Sequence, residues 1–228
     1  MSWSSGKDSA WALQVLRARG EVEVVGLLTT FNREFARVSM HGVRDALVRG
    51  QARAVGLQLR AVRLPWPCSN ADYEAAMSRA MARARAEGVT HIAFGDLFLE
   101  DIRAYREERM AQAGMTPLFP LWGADTARLA REMVASGTRA VLVCVDPKQL
   151  DPRFCGRPFD ASLLEELPRG VDPCGERGEF HTFVWDGPAW ARPVAVTRGE
   201  VVERDGFVFA DLLPAAPASA PARGGRRC

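Results

Sequence analysis

Apolar and polar positions along the chain alternate between two periods. In SAWALQVLRARG (9–20), Trp11, Leu13 and Leu16 fall near one face, and the run ends at Gly20, which predicts a helix with a glycine stop. The β-branched run VEVVGLLTT (22–30) predicts a buried strand. A helix over 43–54, a strand at LQLRAVRLP (57–65) and a helix over 71–87 capped by Ser69 or Asn70 follow. VTHIAFGD (89–96) reads as a strand with His91 in the core, 101–112 as a helix, MTPLFPLW (115–122) as a short extended piece, and 125–136 as a helix. RAVLVCVD (139–146) is apolar throughout and predicts a strand buried on both faces. Strands separated by helices of this length predict an α/β fold with a mostly parallel sheet covered on both sides.

After Asp146 the rhythm changes. PKQLDPRFCGRPFD (147–160) is loop-like, a short helix is expected over 161–167, and 193–213 reads as antiparallel strands turning near Arg198-Gly199 and Asp205-Gly206. This divides the chain into a nucleotide-binding domain (1–146), a small α+β subdomain for an acceptor substrate (147–213) and a low-complexity tail (214–228) expected to be disordered.

Composition narrows the function classes. With 228 residues and 47% hydrophobic content the chain can bury a core, and a net charge of +2 with interspersed signs gives no basic stripe for nucleic acid. The five cysteines form no CxxC pair, so reduced thiols in a cytoplasmic protein are expected, with no disulfide framework or zinc knuckle. No apolar run approaches the roughly 18 residues that would cross a membrane. Of 30 basic residues only Lys7 and Lys148 are lysine, so a point charge is kept at position 7 in a chain that otherwise uses arginine.

Lys7 lies in SSGKDS (4–9), directly before the first helix. Such a turn leaves backbone N–H groups pointing out of the helix start; Ser4, Ser5 and Ser9 add hydroxyls, Gly6 allows close approach and Lys7 adds charge, which describes a phosphate cradle. Asp8 fits it if a Mg²⁺ bridges its carboxylate to the phosphates. The spacing is not that of GxxxxGK[ST]. Ser5 stands where a glycine would be easier, which is tolerable with a negative φ.

The segment resembles the SGGKDS signature of the PP-loop (N-type) ATP pyrophosphatases. Two longer stretches, AFGDLFLEDIRAYREERM (93–110) and VDPCGERGEFHTFVWDGPAW (171–190), with TTFNREFARVSMHGV (29–43), resemble the diphthine–ammonia ligase family and its bacterial relatives over nearly the whole chain up to Leu213. That resemblance implies a three-layer parallel sheet of the adenine nucleotide alpha hydrolase (HUP, Rossmann-like) type. It also implies an ATP-dependent ligase that adenylates a carboxylate, releases pyrophosphate and AMP, and transfers ammonia. ATP, Mg²⁺, ammonia and an unidentified carboxylate acceptor are the implied cofactors and partners, with a homodimer kept open. Alternatives are an ATP-binding sensor without turnover, or amidotransfer in cobalamin-related metabolism.

The implied site comprises Lys7, Asp8, Glu179 and His181 for catalysis, and Ser4, Ser5, Gly6, Lys7, Asp8, Ser9, Thr29, His41 and Asp96 for the nucleotide. Asp101, Arg103, Glu176, Glu179, His181 and Thr182 are assigned to the acceptor, and Asp8 to the metal. Asp96 ends a predicted strand, the edge where open parallel sheets bind ligands. Cys174 has no local partner to lower its pKa and is read as an ordinary thiol. The diphthine-specific ligases read approximately EGGEYET where this chain has ERGEFHT (176–182), a change on the presumed acceptor loop that argues against diphthine. Only Met1 to Trp3 precede the turn, so the central strand is expected to be much shortened or to start upstream.

Overall fold

The computed structural model describes residues 1–38 and 41–215. The first helix, α1 (Lys7–Arg19), begins at Gly6 and stops at Gly20, whose φ of 66° lets its N–H close on the Leu16 carbonyl. Strand β1 (Gly26–Asn32) is followed by the two-residue β2 (Arg37–Val38), α2 (Asp45–Val55) and β3 (Gln58–Leu64). Helix α3 (Asn70–Ala86) opens with a reciprocal capping box between Ser69 and Asp72. Then come β4 (His91–Ala93), α4 (Glu100–Gln112), β5 (Thr116–Leu118), α5 (Thr126–Ala135) and β6 (Arg139–Val145). The chain continues through α6 (Ala161–Glu166), β7 (Phe180–Asp186), β8 (Val196–Arg204) and β9 (Phe207–Pro214).

The first half is mainly parallel, with only the two-residue β2 running antiparallel to β1. β1 and β3 pair in register from Gly26–Gln58 to Asn32–Leu64, and β4 pairs with β5. Met1 to Trp3 lie between these pairs: the Leu28 amide donates to the Met1 carbonyl, Trp3 N–H to Leu28 and Ser2 N–H to Ala93, each at 2.8 Å. Three residues thus carry the hydrogen bonding from β1 to β4, and the chain leaves this short central segment directly into the turn.

The second half is antiparallel, with strand order β7-β6-β9-β8. The α/β class holds, but the strands form short sheets that are partly antiparallel, where the resemblance implied one three-layer parallel sheet. The difference lies in β6. An apolar run buried on both faces looks the same to periodicity whatever its neighbours' direction, and here β7 and β9 both run against it. β8 runs through Arg198-Gly199 with a register shift instead of a turn, and the reversal falls at Asp205-Gly206. His91, expected in the core, is exposed at the first residue of β4 and its Nδ1 lies 2.8 Å from the Thr90 hydroxyl. Pro214 ends β9, and the rest of the expected tail lies, from residue 216, outside the described residues.

A large core joins α1, α2, α5 and both sheet systems, with Trp3, Leu13, Phe31, Leu142 and Phe183 almost fully enclosed. A smaller cluster of Leu28, Met81, Ile92, Phe94, Met110 and Met115 lies beneath α3 and α4. Gln51 is buried where the two halves meet: its side chain accepts from the Trp3 indole (2.8 Å) and donates to the carbonyls of Ser5 (3.0 Å) and Val184 (2.6 Å). One amide therefore ties the N-terminal segment, the turn and β7 together. Among the described residues no helix is long and apolar enough to cross a membrane.

Candidate functional site

The turn sits at the C-terminal end of the parallel strands. Ser5 adopts φ 75°, against the negative φ expected for it, and its hydroxyl oxygen is buried without a hydrogen-bond partner. The constraint comes from outside the turn, since the Ser5 carbonyl is held by both the Gln51 side chain and the Val184 amide. Gly6 is tightly packed: a Cβ there would meet the Thr182 carbonyl at 3.2 Å and the His41 ring at 3.3 Å, so a side chain would press its neighbours apart. Ser4 Oγ accepts from the Gly6 amide (3.3 Å) and lies 3.2 Å from Ser9 Oγ, which donates to the Gly6 carbonyl (2.9 Å). The Lys7 amide donates to Thr182 Oγ1 at 3.0 Å. Gly95, at the exit of β4, lies so close to the helix start that a Cβ would stand 3.0 Å from Asp8 C and Ser9 N. A bare backbone there lets the exit of β4 pack directly against the first turn of α1.

The turn borders a cavity of about 960 Å³, with Ser4, Thr30, His41 and His181 at one end and the apolar side chains of Met77 and Met110 along the walls. Arg85, Arg106 and Arg109 line it from α3 and α4. Arg106 forms a two-bonded pair with Asp96, its Nη2 at 3.1 Å from Oδ1, and stacks over Phe94. Arg109 donates to Glu74 at 2.6 Å. His41 and His181, distant in sequence, stack with ring centres 4.4 Å apart and planes within 20°. Burial, then the nearby Lys7 charge, pushes His181 down to about 4; burial and the neighbouring His181 hold His41 well below its ordinary value. Both rings are therefore neutral near pH 7.

Lys7 turns away from this cavity. Its side chain is 2% exposed, and Nζ donates to both Asp8 oxygens (3.0 and 2.9 Å) and to the Cys174 carbonyl, with the Phe159 and Phe180 rings each 5.5 Å away. Burial opposes its charge, but the Asp8 carboxylate and the other acids around it prevail and hold its pKa above the ordinary value. The 172–182 segment supplies the rest of this compartment. Glu179 accepts from the amides of Asp172 (2.8 Å) and Arg177 (2.9 Å), so both its oxygens shape the loop that carries it. Glu176 reaches the other way and accepts from the Leu97 amide at 2.7 Å, pinning the loop to the β4 exit. Burial, with Asp8 and Asp96 nearby, pushes its carboxyl up to about 7. The Cys174 thiol is buried, which raises its pKa and leaves it a weak nucleophile.

The structure thus gathers Ser4, Gly6, His41, His181 and Thr182 on one side of the turn, and Lys7, Asp8 and Glu176 on the other, with the Asp96–Arg106 pair nearby. Thr29 is elsewhere engaged: its buried hydroxyl donates to the Trp3 carbonyl at 2.8 Å. Asp101 is exposed on the first turn of α4, and Arg103 stacks on Phe119 and Trp122 while pairing with Glu107. Sequence reasoning missed Thr30, the methionine walls and Gln51; a glutamine inside the apolar set Leu47, Val48, Ala52 was the available signal for the last. Asp8 suits a cation that arrives with phosphates, since Mg²⁺ is commonly held by one or two carboxylates plus phosphate oxygens. Among the described residues no three His, Cys, Asp or Glu side chains group to hold a metal unaided.

The serine- and glycine-lined helix start of this α/β chain thus opens onto a cavity at a strand edge. Residues 125–210 match the family model of the diphthamide synthase C-terminal domain. The chain is similar to the diphthine–ammonia ligase of Bos taurus (33% identical over 131 residues, 55% of this chain and 49% of that protein). That of Homo sapiens is 34% identical over 132 residues, with the same shares, and that of Schizosaccharomyces pombe 34% over 94 residues, 40% of this chain and 16% of the yeast protein. These findings support the diphthine–ammonia ligase family, as the motifs implied. The chain spans about half the length of the mammalian relatives it matches.

Proposed function

We propose that this chain is an ATP-dependent ligase of the PP-loop type that activates a carboxylate and passes it to ammonia. A carboxylate oxygen attacks the α-phosphorus of ATP and pyrophosphate leaves; ammonia then attacks the acyl carbon, the C–N bond forms, AMP departs with the C–O electron pair and the nitrogen sheds a proton. The observation that carries this reading is the turn itself: two serines and a glycine feeding a 13-residue helix, set between a 960 Å³ cavity and the 172–182 segment. The nucleoside fits the cavity, whose methionine and phenylalanine walls offer apolar cover. The phosphates lie over the helix start, where the Ser4 hydroxyl and Lys7 add to the backbone field. Asp8 would hold Mg²⁺, which when bound neutralises phosphate charge. The acceptor faces the loop carrying Glu176 and His181.

The relatives act on diphthine, so a diphthine-bearing protein is the first acceptor to try, followed by a panel of small carboxylates, because ERGEFHT departs from the diphthine-specific motif. With ATP, Mg²⁺ and ammonium, amide, AMP and pyrophosphate should appear in equal amounts. A sensor that binds ATP without turnover is favoured by one observation, the consumption of both Glu179 oxygens within its own loop. ATP that binds and is never consumed with any acceptor would support that second reading.

A further inference from the structure

The ion pair between Lys7 and Asp8 joins adjacent residues and cross-links no two elements of the fold. It nevertheless occupies the one lysine of the turn. An ammonium has three N–H donors. Here the two Asp8 oxygens and the Cys174 carbonyl take them, and aromatic rings close two further sides. No donor is left for an incoming phosphate. The two partners differ in access: the Lys7 side chain is 2% exposed and the Asp8 side chain 26%, so the carboxylate is the member a ligand can reach and move. Asp8 is also in the first turn of α1, where the helix N-terminus favours a negative charge, although burial, opposed by Lys7, still raises its carboxyl above the ordinary value.

We propose that Asp8 is a built-in stand-in for phosphate, holding Lys7 while no nucleotide is bound, so that a polyphosphate gains the ammonium only by displacing the carboxylate. The inference rests on the reading of the turn as an ATP site and adds a self-masking contact to it. Asp8 lowers the affinity of the turn for free anions and reserves Lys7 for ligands with enough other contacts, at Ser4 and the helix amides, to drive the exchange.

Calorimetric titration with pyrophosphate and with ATP, in EDTA to remove divalent cations, tests this on the full chain. Asp8→Asn keeps the side-chain shape and removes the charge, and should bind both anions about tenfold or more tightly than the natural protein, the scale of one charge-assisted hydrogen bond. The same substitution made in a Lys7→Met background should give no gain, because nothing remains to be unmasked. Thermal unfolding of each variant checks that it is folded, and Asp8→Ala serves if Asp8→Asn is not. Unchanged or weaker binding by Asp8→Asn, in a protein that does bind ATP, overturns the inference alone. A gain that persists without Lys7 also overturns it, since general charge repulsion would then be the cause. If neither the natural protein nor Asp8→Asn binds either anion, the ATP reading of the turn fails as well.

Discussion

The turn at 4–9 and the loop at 172–182 meet at Lys7 and Thr182, yet they differ in what their hydroxyls and carboxylates hold. The turn leaves the Ser5 hydroxyl without a partner and sets Ser4 on a cavity wall. The loop spends its carboxylates inwardly, Glu179 on two amides and Glu176 on a third. Side chains that hold their own backbone cannot also serve a ligand without a structural cost. The acidic residues of the loop therefore shape its backbone, while the turn sets Ser4 facing the cavity.

The largest effect separating the two should come from Glu179→Ala. One buried and one partly buried amide lose a charged acceptor, and stability in urea unfolding should fall by about 3 kcal/mol. Glu179→Gln, which keeps one carbonyl oxygen, should lose less. Equal stability of Glu179→Ala and the natural protein would contradict the structural role.

The pH dependence sharpens the contrast further. Glu176 rises from 4.5 in the unfolded chain to about 7 in the folded one. A carboxyl raised in this way is a burden in its charged form, so stability declines as pH climbs from about 4.5 and the loss is complete above about 7. His181 has the opposite sign: lowered from 6.5 to about 4, it contributes stability that is present above 6.5 and lost as pH falls towards 4. Glu176→Gln should remove the first slope and leave the second, so that the variant gains on the natural protein through this window. At neutral pH the gain should be on the order of 1 kcal/mol, since Glu176 is only partly buried and solvent screens it. Parallel stability–pH curves for the two proteins would show that Glu176 carries no such burden.

The smallest expected effect is at Ser5. Its φ of 75° is strained for a residue with a side chain, and its hydroxyl is unpartnered, so Ser5→Gly should raise stability by up to about 1 kcal/mol. A loss of stability would mean that the hydroxyl has a partner in solution.

Much of the first region was legible in the sequence because its signals are local. Ser69 announces a helix start, Gly20 a helix end, and SSGKDS a turn before an apolar face. The second region depends on distant pairing. Nothing within RAVLVCVD tells it to run against β7 and β9, and nothing near His41 points to His181 as its stacking partner. Ser5 illustrates the same limit at one residue: its positive φ is imposed by Gln51 and Val184, both far along the chain. Glu179 looked catalytic by type and neighbourhood, and only the positions of the Asp172 and Arg177 amides reveal how its oxygens are used.

The account stands or falls with ATP at the turn. Calorimetric titration of the protein and of Lys7→Met with ATP and Mg²⁺ is the most direct test, with pyrophosphate as competitor. The account predicts one ATP per chain, displaced by pyrophosphate, and a loss of about tenfold or more in affinity when the ammonium is removed from a variant that still folds. Equal affinity of the two proteins, or ATP binding indifferent to pyrophosphate, would contradict it.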